Sequence, residues 1–170
     1  MGMDISGVNP KINKSMSDFP TLKKWDAINW GDRNTEKWEK EEKQYWKEEE
    51  EYNKLNCGIY FRNNCWWWRP LWNFCAHHCP ELIDEETFQS GHCNDGAGLD
   101  DKNAIKLGIK LLTLVEDGTA AAHEREITLM NEEEKANNPE GTLAGAYPFD
   151  VENVKNFADF CLQSGGFEIW

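Results

Sequence analysis

The chain has 170 residues, of which 39% are hydrophobic, which is enough for one domain with a sizeable core. No apolar run is long enough to cross a bilayer and no apolar signal segment opens the chain, so we expect a soluble, cytoplasmic protein without a membrane partner. A formal net charge of −13 argues against direct binding to nucleic acid and is compatible with a basic protein partner or with mimicry of nucleic-acid charge. The six cysteines are expected to be reduced thiols.

The N-terminal part of the chain begins with a short predicted strand at Met3-Asp4-Ile5. Residues Lys11–Arg33 show no clean period, so we expect an irregular segment anchored by its tryptophans. Asp32, Asn34 or Thr35 is suited to cap the helix that follows. We expect one domain over residues 1–170, with residues 11–54 as an insertion.

A long charged helix is predicted from Glu36 to Lys54. Its aromatic residues fall on one face, where they would touch the body of the protein: Trp38, Tyr45, Trp46 and Tyr52. The helix also carries four consecutive glutamates: Glu48, Glu49, Glu50 and Glu51. Two interpretations remain open, namely a solvated charged helix and an acidic surface for a basic protein partner.

The segment Gly58–Trp72 contains four of the nine tryptophans and is the most distinctive part of the chain. Its first residues predict a short strand at Ile59–Phe61 that ends in a turn. Proline is common in the first turn of a helix, so a helix is predicted from Pro70 to Cys79. The Trp66–Trp68 triplet would then lie on the connection, where neighbouring side chains point in different directions and all three indoles cannot be core.

These indoles lie close in sequence to fixed hydrogen-bond donors, a combination suited to stacking and to phosphate contact. The candidate ligand-binding residues of this segment are Arg62, Asn63, Asn64, Trp66, Trp67, Trp68 and Arg69. The alternative is structural: the indoles would close one end of a small core while the arginines bind chain carbonyls.

A possible zinc site follows in the sequence. Cys75 and Cys79 lie one helical turn apart, and His78, His92 and Cys93 are candidates to complete a tetrahedral set. The paired Cys-x-x-Cys spacing is absent, and adjacent histidine and cysteine seldom face one metal, so buried thiols without a cofactor are the favoured interpretation.

A predicted turn at Asn94–Asp100 precedes the next helix, which Asp100 is suited to cap. Asp100 would then lie with His92, Asn94 and Asp95 at the N-terminus of this helix, where a polar ligand could bind. The alternative is a tight turn with a helix cap and no ligand.

The C-terminal half predicts three helices and a strand. An apolar face runs from Ala104 to Val115 and ends at Asp117-Gly118. Thr119–Glu134 is expected to be helical, with Leu129 and Met130 packing, and Ala136–Gly145 to be a loop. Asp150 would cap the last helix, after which Phe167–Trp170 alternates like a strand and is expected beside Ile59–Phe61, with Met3–Ile5 a further candidate. The predicted fold is therefore α+β, with a small two- to three-stranded sheet covered by four to five helices.

Several short motifs are found together in one group of proteins: Met1-Gly2-Met3-Asp4, Tyr60-Phe61-Arg62-Asn63-Asn64, Trp66–Leu71, Asn94-Asp95-Gly96 with Gly98-Leu99-Asp100, and Tyr147-Pro148-Phe149 with Ser164–Phe167. In these motifs the chain resembles a family of small bacteriophage and bacterial proteins to which no activity is assigned. The resemblance covers the start and residues 58–170, and it implies an accessory protein of phage type.

Two hypotheses follow from the sequence. In the first, the protein is a binder, with counter-defence as its role: the Trp/Arg cluster accepts a nucleotide-like ligand, or the acidic surface binds a host protein. In the second, it is a small hydrolase or transferase that uses His92 with Asp95 or Asp100. The chain has no nucleophile motif and no phosphate loop, which favours the binder.

Overall fold

The fold is α+β, as the sequence predicts. A computed structural model describes residues 2–33, 35–138 and 147–170. In these ranges the chain forms four strands and seven α-helices, more than the predicted two to three strands and four to five helices. In chain order they are β1 Gly2–Gly7, α1 Pro20–Asp26, α2 Glu36–Leu55, β2 Tyr60–Asn64, α3 Cys65–His78, α4 Glu85–Ser90, β3 Ala97–Asp100, α5 Asp101–Glu116, α6 Thr119–Asn137, α7 Val151–Gln163 and β4 Gly166–Ile169.

The sheet is antiparallel, with the strand order β2-β1-β4-β3. The predicted strand at Met3–Ile5 is confirmed, and it lies between the other two predicted strands. Ile5 is opposite Phe61 on one side and opposite Ile169 on the other. The prediction that β4 lies directly beside β2 is therefore wrong, because both strands pair with β1.

The prediction of a turn over the whole of Asn94–Asp100 is also wrong, since Ala97–Asp100 forms the edge strand β3. Gly96 has the positive φ, 89°, that a turn requires, whereas Gly98 marks a close approach of two backbones. A Cβ atom on Gly98 would lie 1.7 Å from the carbonyl oxygen of Phe167. Only glycine fits here, so Gly98 allows the pairing of β3 with β4.

Side chains alternate between the two faces of the sheet along each strand. One face is buried and packs against α3, α5 and α7 in the main core. The predicted caps of α5 and α7 are confirmed. Oδ1 of Asp100 accepts a hydrogen bond from the amide of Asn103, and Oδ1 of Asp150 accepts one from the amide of Glu152. Gly118, at φ 83°, follows the end of α5 as predicted.

Helices α1 and α2 enclose a second, smaller core. Its buried residues are Phe19, Leu22, Trp25, Trp38, Tyr45 and Tyr52. The expectation of an irregular Lys11–Arg33 is wrong, because this segment contains α1. That helix has seven residues, too few to show a period in the sequence. Trp46, predicted on the packed side of α2, is 43% exposed.

Asn56, which is fully buried, ties the end of α2 to the chain that follows β1. Its Oδ1 accepts hydrogen bonds from the amides of Asn13 and Lys14 at 2.8 and 2.9 Å. Its Nδ2 donates to the carbonyls of Tyr52 and Lys14. One side chain therefore joins the end of α2 to the chain that enters from β1.

Helix α3 begins at Cys65, five residues before the predicted start at Pro70. Oδ1 of Asn64 accepts hydrogen bonds from the amides of Trp66 and Trp67 at 3.0 and 3.1 Å and caps the helix there. Pro70 thus lies inside α3, and the three indoles project from a helix instead of a connection.

Helix α6 confirms the prediction at Thr119–Glu134 and continues to Asn137. Leu129 and Met130, which were expected to pack, are 65% and 57% exposed, so that prediction is wrong. The predicted loop Ala136–Gly145 falls mostly on residues 139–146, outside the described residues.

Candidate functional site

The tryptophan triplet is divided by α3 between the core and the surface. Trp68 is fully buried and stacks on Trp72, with 5.2 Å between ring centroids. Its Nε1 donates to the carbonyl of Gly91 at 2.7 Å. Trp66 and Trp67 are half-buried. Trp68 is thus a core residue and not available to a ligand, which corrects its assignment to the ligand-binding set.

The candidate residues of β2 have structural contacts. Nε of Arg62 lies 3.4 Å from Oδ1 of Asp4 on the neighbouring strand, with both side chains largely exposed. Nδ2 of Asn63 donates to Oδ1 of Asn153 at 3.1 Å, and Asn64 caps α3. These residues hold the strand and the following helix in place.

Part of the predicted aromatic and cationic cluster does form, around Arg69. Nη1 of Arg69 donates to the hydroxyl of Tyr147 at 2.9 Å, and the guanidinium lies 6.0 Å from the centre of that ring. The ring of Trp66 lies 5.0 Å from the ring of Tyr147. Tyr147 was not among the predicted site residues, although it belongs to the Tyr-Pro-Phe motif.

Arg69 and Tyr147 border a cleft of about 560 Å³ between α3 and α6. This volume is in the range of small-molecule sites. The rest of its lining combines apolar and polar side chains, which the sequence reasoning did not single out as site residues: Pro70, Asn73, His123, Ile127, Met130, Asn131 and Glu134. They lie on two helices that are distant in sequence, so no local motif marks them.

The polar groups of the cleft are held in defined positions. Nδ2 of Asn131 donates to the carbonyl of Tyr147 at 3.3 Å. The ring of His123 packs against Phe74 and Phe149 at centroid distances of 5.2 and 4.6 Å. Burial lowers the pKa of His123, against the opposing charge of Glu126, so the imidazole is neutral at pH 7. The cleft is therefore lined by a neutral imidazole, side-chain amides, the guanidinium of Arg69 and the carboxylate of Glu134.

The turn before α5 does not bring a histidine and a carboxylate together. Oδ1 of Asp95 accepts a hydrogen bond from the amide of Ala97, and Asp100 caps α5. The ring of His92 packs against Phe88, and in the described part of the chain its buried Nδ1 has no hydrogen-bond partner. Nδ2 of Asn94 donates to the carbonyl of Gly2. These contacts are those of a turn and a helix cap.

The cysteine and histidine residues considered for zinc are also dispersed. Cys75 and Cys79 are buried, whereas Cys93 is exposed. Burial raises the pKa of the Cys75 thiol well above its usual value, which keeps it protonated. Across residues 2–33, 35–138 and 147–170, no three His, Cys, Asp or Glu side chains are arranged to hold a metal ion.

The predicted acidic surface Glu48–Glu51 is not continuous. Glu48 is 8% exposed, and its Oε2 accepts hydrogen bonds from the amides of Thr21 and Leu22 at 2.8 and 2.9 Å. It therefore caps the N-terminus of α1, where Phe19 has no side-chain oxygen to offer. Glu49 is half-buried, and Glu50 and Glu51 are exposed. Glu48 therefore has a structural role and is not free to bind a partner, so its assignment to the partner-binding surface is wrong.

Replacing Glu48 by glutamine is expected to reduce the free energy of unfolding at pH 7 by about 1–2 kcal/mol, since the cap loses its charge. Burial alone would raise the pKa of Glu48, but the hydrogen bonds from Gln44, Leu22 and Thr21 bring it below the usual value. This contribution is present above the unfolded pKa and is lost as the pH falls through the folded pKa. Urea unfolding should therefore show that the difference in the free energy of unfolding between variant and parent is smaller below pH 4 than at pH 7.

Glu50→Gln is the matched control for Glu48→Gln, because Glu50 is exposed on the same helix. We expect its effect to stay within about 0.5 kcal/mol at both pH values. Equal effects of the two substitutions would show that Glu48 does not cap α1.

Comparison of the chain with models of protein families, with curated proteins and with solved structures finds no match. Among the described helices, none combines the length and the apolar character needed to cross a membrane. The geometry of the cleft is therefore the basis for the function proposed below.

Proposed function

We propose that the protein binds a small nucleotide-like ligand in the cleft between α3 and α6. The observation that supports this most is the position of Arg69 and Tyr147 at the border of a cleft of about 560 Å³. A guanidinium presents several N–H donors in one plane and suits a phosphate, while an aromatic ring suits a base. Within the described residues, one N–H group of Arg69 is used by Tyr147, which leaves the others for a ligand.

The biological setting of this proposal comes from the resemblance to bacteriophage and bacterial proteins. In that setting the protein is an accessory protein of phage type that acts in the host cytoplasm and counters defence by sequestering a nucleotide signal. A binder of this kind needs no catalytic group and returns its ligand unchanged. The variant in which an acidic surface binds a host protein has less support, because Glu48 is buried and Lys47 and Lys54 lie beside Glu50 and Glu51.

The alternative function, a hydrolase or transferase that uses His92, also has less support. A general base must lie within hydrogen-bond reach of its partners, and the carboxylates of Asp95 and Asp100 accept backbone N–H groups instead. Incubation with nucleotides distinguishes the two functions, since only the enzyme converts its ligand.

The test is thermal unfolding of the protein with a panel of mono-, di- and cyclic nucleotides. A ligand at 100 times its dissociation constant should stabilise the protein by about 2.7 kcal/mol, which gives a measurable rise in Tm. Arg69→Ala should abolish this rise, because it removes a cation that lines the cleft. The recovered nucleotide should be intact by chromatography.

Arg62→Ala is the matched control, since Arg62 pairs with Asp4 on the sheet and does not line the cleft. It should keep the rise in Tm. An equal loss in both variants, or no rise with any nucleotide, would contradict the proposed ligand class. Turnover of a nucleotide would favour the enzyme.

A further inference from the structure

Two neighbouring indoles are exposed on the α1–α2 part of the fold, away from the proposed cleft. Trp30 is 61% exposed and Trp46 is 43% exposed. Their rings are stacked, with 5.7 Å between centroids and 25° between planes. Tryptophan is usually mostly buried, and an exposed apolar patch on a folded protein often marks an interaction surface.

Buried groups hold this pair in place from beneath. The guanidinium of Arg33 lies 4.0 Å from the centre of the Trp30 ring, and Arg33 itself is only 4% exposed. Its Nε donates to the carbonyl of Ile28 at 3.0 Å, which fixes its position. The ring of Tyr45 meets Trp46 edge to face at 5.1 Å. A partner would therefore meet ordered rings, and less entropy would be lost on binding.

Carboxylates lie beside the indoles. Nε1 of Trp46 donates to Oε1 of Glu42 at 3.3 Å. Glu49, three residues after Trp46, accepts a hydrogen bond from the hydroxyl of Tyr45 at 3.4 Å. Burial raises the pKa of Glu49, while the hydrogen bond from Tyr45 lowers it and the opposite charges of Asp26 and Arg33 act on it in opposite directions. Glu42 and Glu49 therefore place two carboxylates beside the indoles.

The lysines nearest to Trp46 lie on its other side. At 100° per residue, Glu42 and Glu49 fall on the flank of α2 that faces Trp30, while Lys43 and Lys47 fall on the opposite flank. The surface around the two rings thus combines aromatic faces with negative charge. This is the chemistry that binds a guanidinium or an ammonium group, through cation–π contact and a charged hydrogen bond.

We propose that the Trp30–Trp46 surface docks an arginine- or lysine-rich segment of a partner protein. A second copy of the chain fits poorly, because it would bring the same carboxylates together in a protein of net charge −13. This surface is separate from the α3–α6 cleft, and either proposal can fail without the other.

The test measures binding of a labelled hexa-arginine peptide by fluorescence anisotropy at physiological ionic strength. Trp46→Ala, and separately Glu42→Gln combined with Glu49→Gln, should each weaken binding by about tenfold. Trp46→Phe keeps an aromatic face and should retain most of the affinity. Circular dichroism and the Tm of each variant verify that it is folded.

The charge control is Glu132→Gln combined with Glu133→Gln, on the exposed side of α6. It removes the same charge elsewhere and should leave the affinity within about twofold of the parent protein. Equal weakening by both double variants would show that only net charge matters and would overturn the proposal. So would undetectable binding to the parent protein, or a dimer in sedimentation that Trp46→Ala converts to a monomer.

Discussion

Replacing Trp68 by alanine is expected to lower the free energy of unfolding by about 3–5 kcal/mol. The side chain is fully buried, stacks on Trp72 and donates a hydrogen bond to Gly91. The substitution would leave a cavity in the main core and a carbonyl without its donor, and both effects destabilise the folded state. Urea unfolding followed by circular dichroism at 25 °C gives the free energy directly.

Trp67→Ala is the matched control, since the neighbouring indole is half-buried and has no side-chain hydrogen bond to another described residue. We expect Trp67→Ala to lower the free energy of unfolding by less than about half as much as Trp68→Ala does. If both substitutions destabilised the protein equally, the division of the triplet between core and surface would be wrong.

This division bears on function because Trp68 and Trp72 fix how α3 is rotated. Both indoles point inward and donate to carbonyls of the segment around α4, Trp68 to Gly91 and Trp72 to Phe88. With those rings buried, Arg69 is left exposed beside α6, where it meets Tyr147. The buried tryptophans therefore position the arginine of the proposed cleft without touching a ligand themselves.

The elements that the sequence predicts best are those whose signals are local. The apolar faces of α5 and α7 repeat with the helical period, and Asp100 and Asp150 cap them through amides two or three residues away. The same reasoning shows that three consecutive indoles cannot share one environment, and the structure confirms this. The three indoles lie on a helix, however, and not on the predicted connection.

The features that the sequence does not predict depend on partners far away in the chain. Helix α1 is capped by Glu48, more than twenty residues later, so its own N-cap position gives no signal. Strand β3 is recognisable only from its pairing with β4. The sequence singles out Arg69, which lines the cleft, and Trp66, which contacts Tyr147, but Tyr147 and the residues of α6 come to the cleft only through tertiary packing.

Replacing Gly58 by alanine is expected to cost about 3 kcal/mol or more, comparable to losing a core side chain. A Cβ atom on Gly58 would lie 2.1 Å from the carbonyl oxygen of Gln163, and one on Gly7 would lie 2.1 Å from the carbonyl oxygen of Gly58. The end of β1, the chain before β2 and the end of α7 therefore cross with no room for a side chain. The obstructing atoms are backbone, which cannot move aside as a flexible side chain would.

Gly31→Ala separates this effect from the general cost of replacing glycine. A Cβ atom on Gly31 would meet nothing within 4 Å, and its φ is not in the left-handed region. Alanine there should be neutral, or stabilise the protein by up to about 1 kcal/mol, because it restricts the unfolded chain. Urea unfolding of both variants gives the comparison, and a small effect at Gly58 would mean that the crossing is looser than described. This crossing joins the α1–α2 core to the sheet. Gly58→Ala should therefore lower the unfolding temperature of both cores together, the one around Trp38 and the main one.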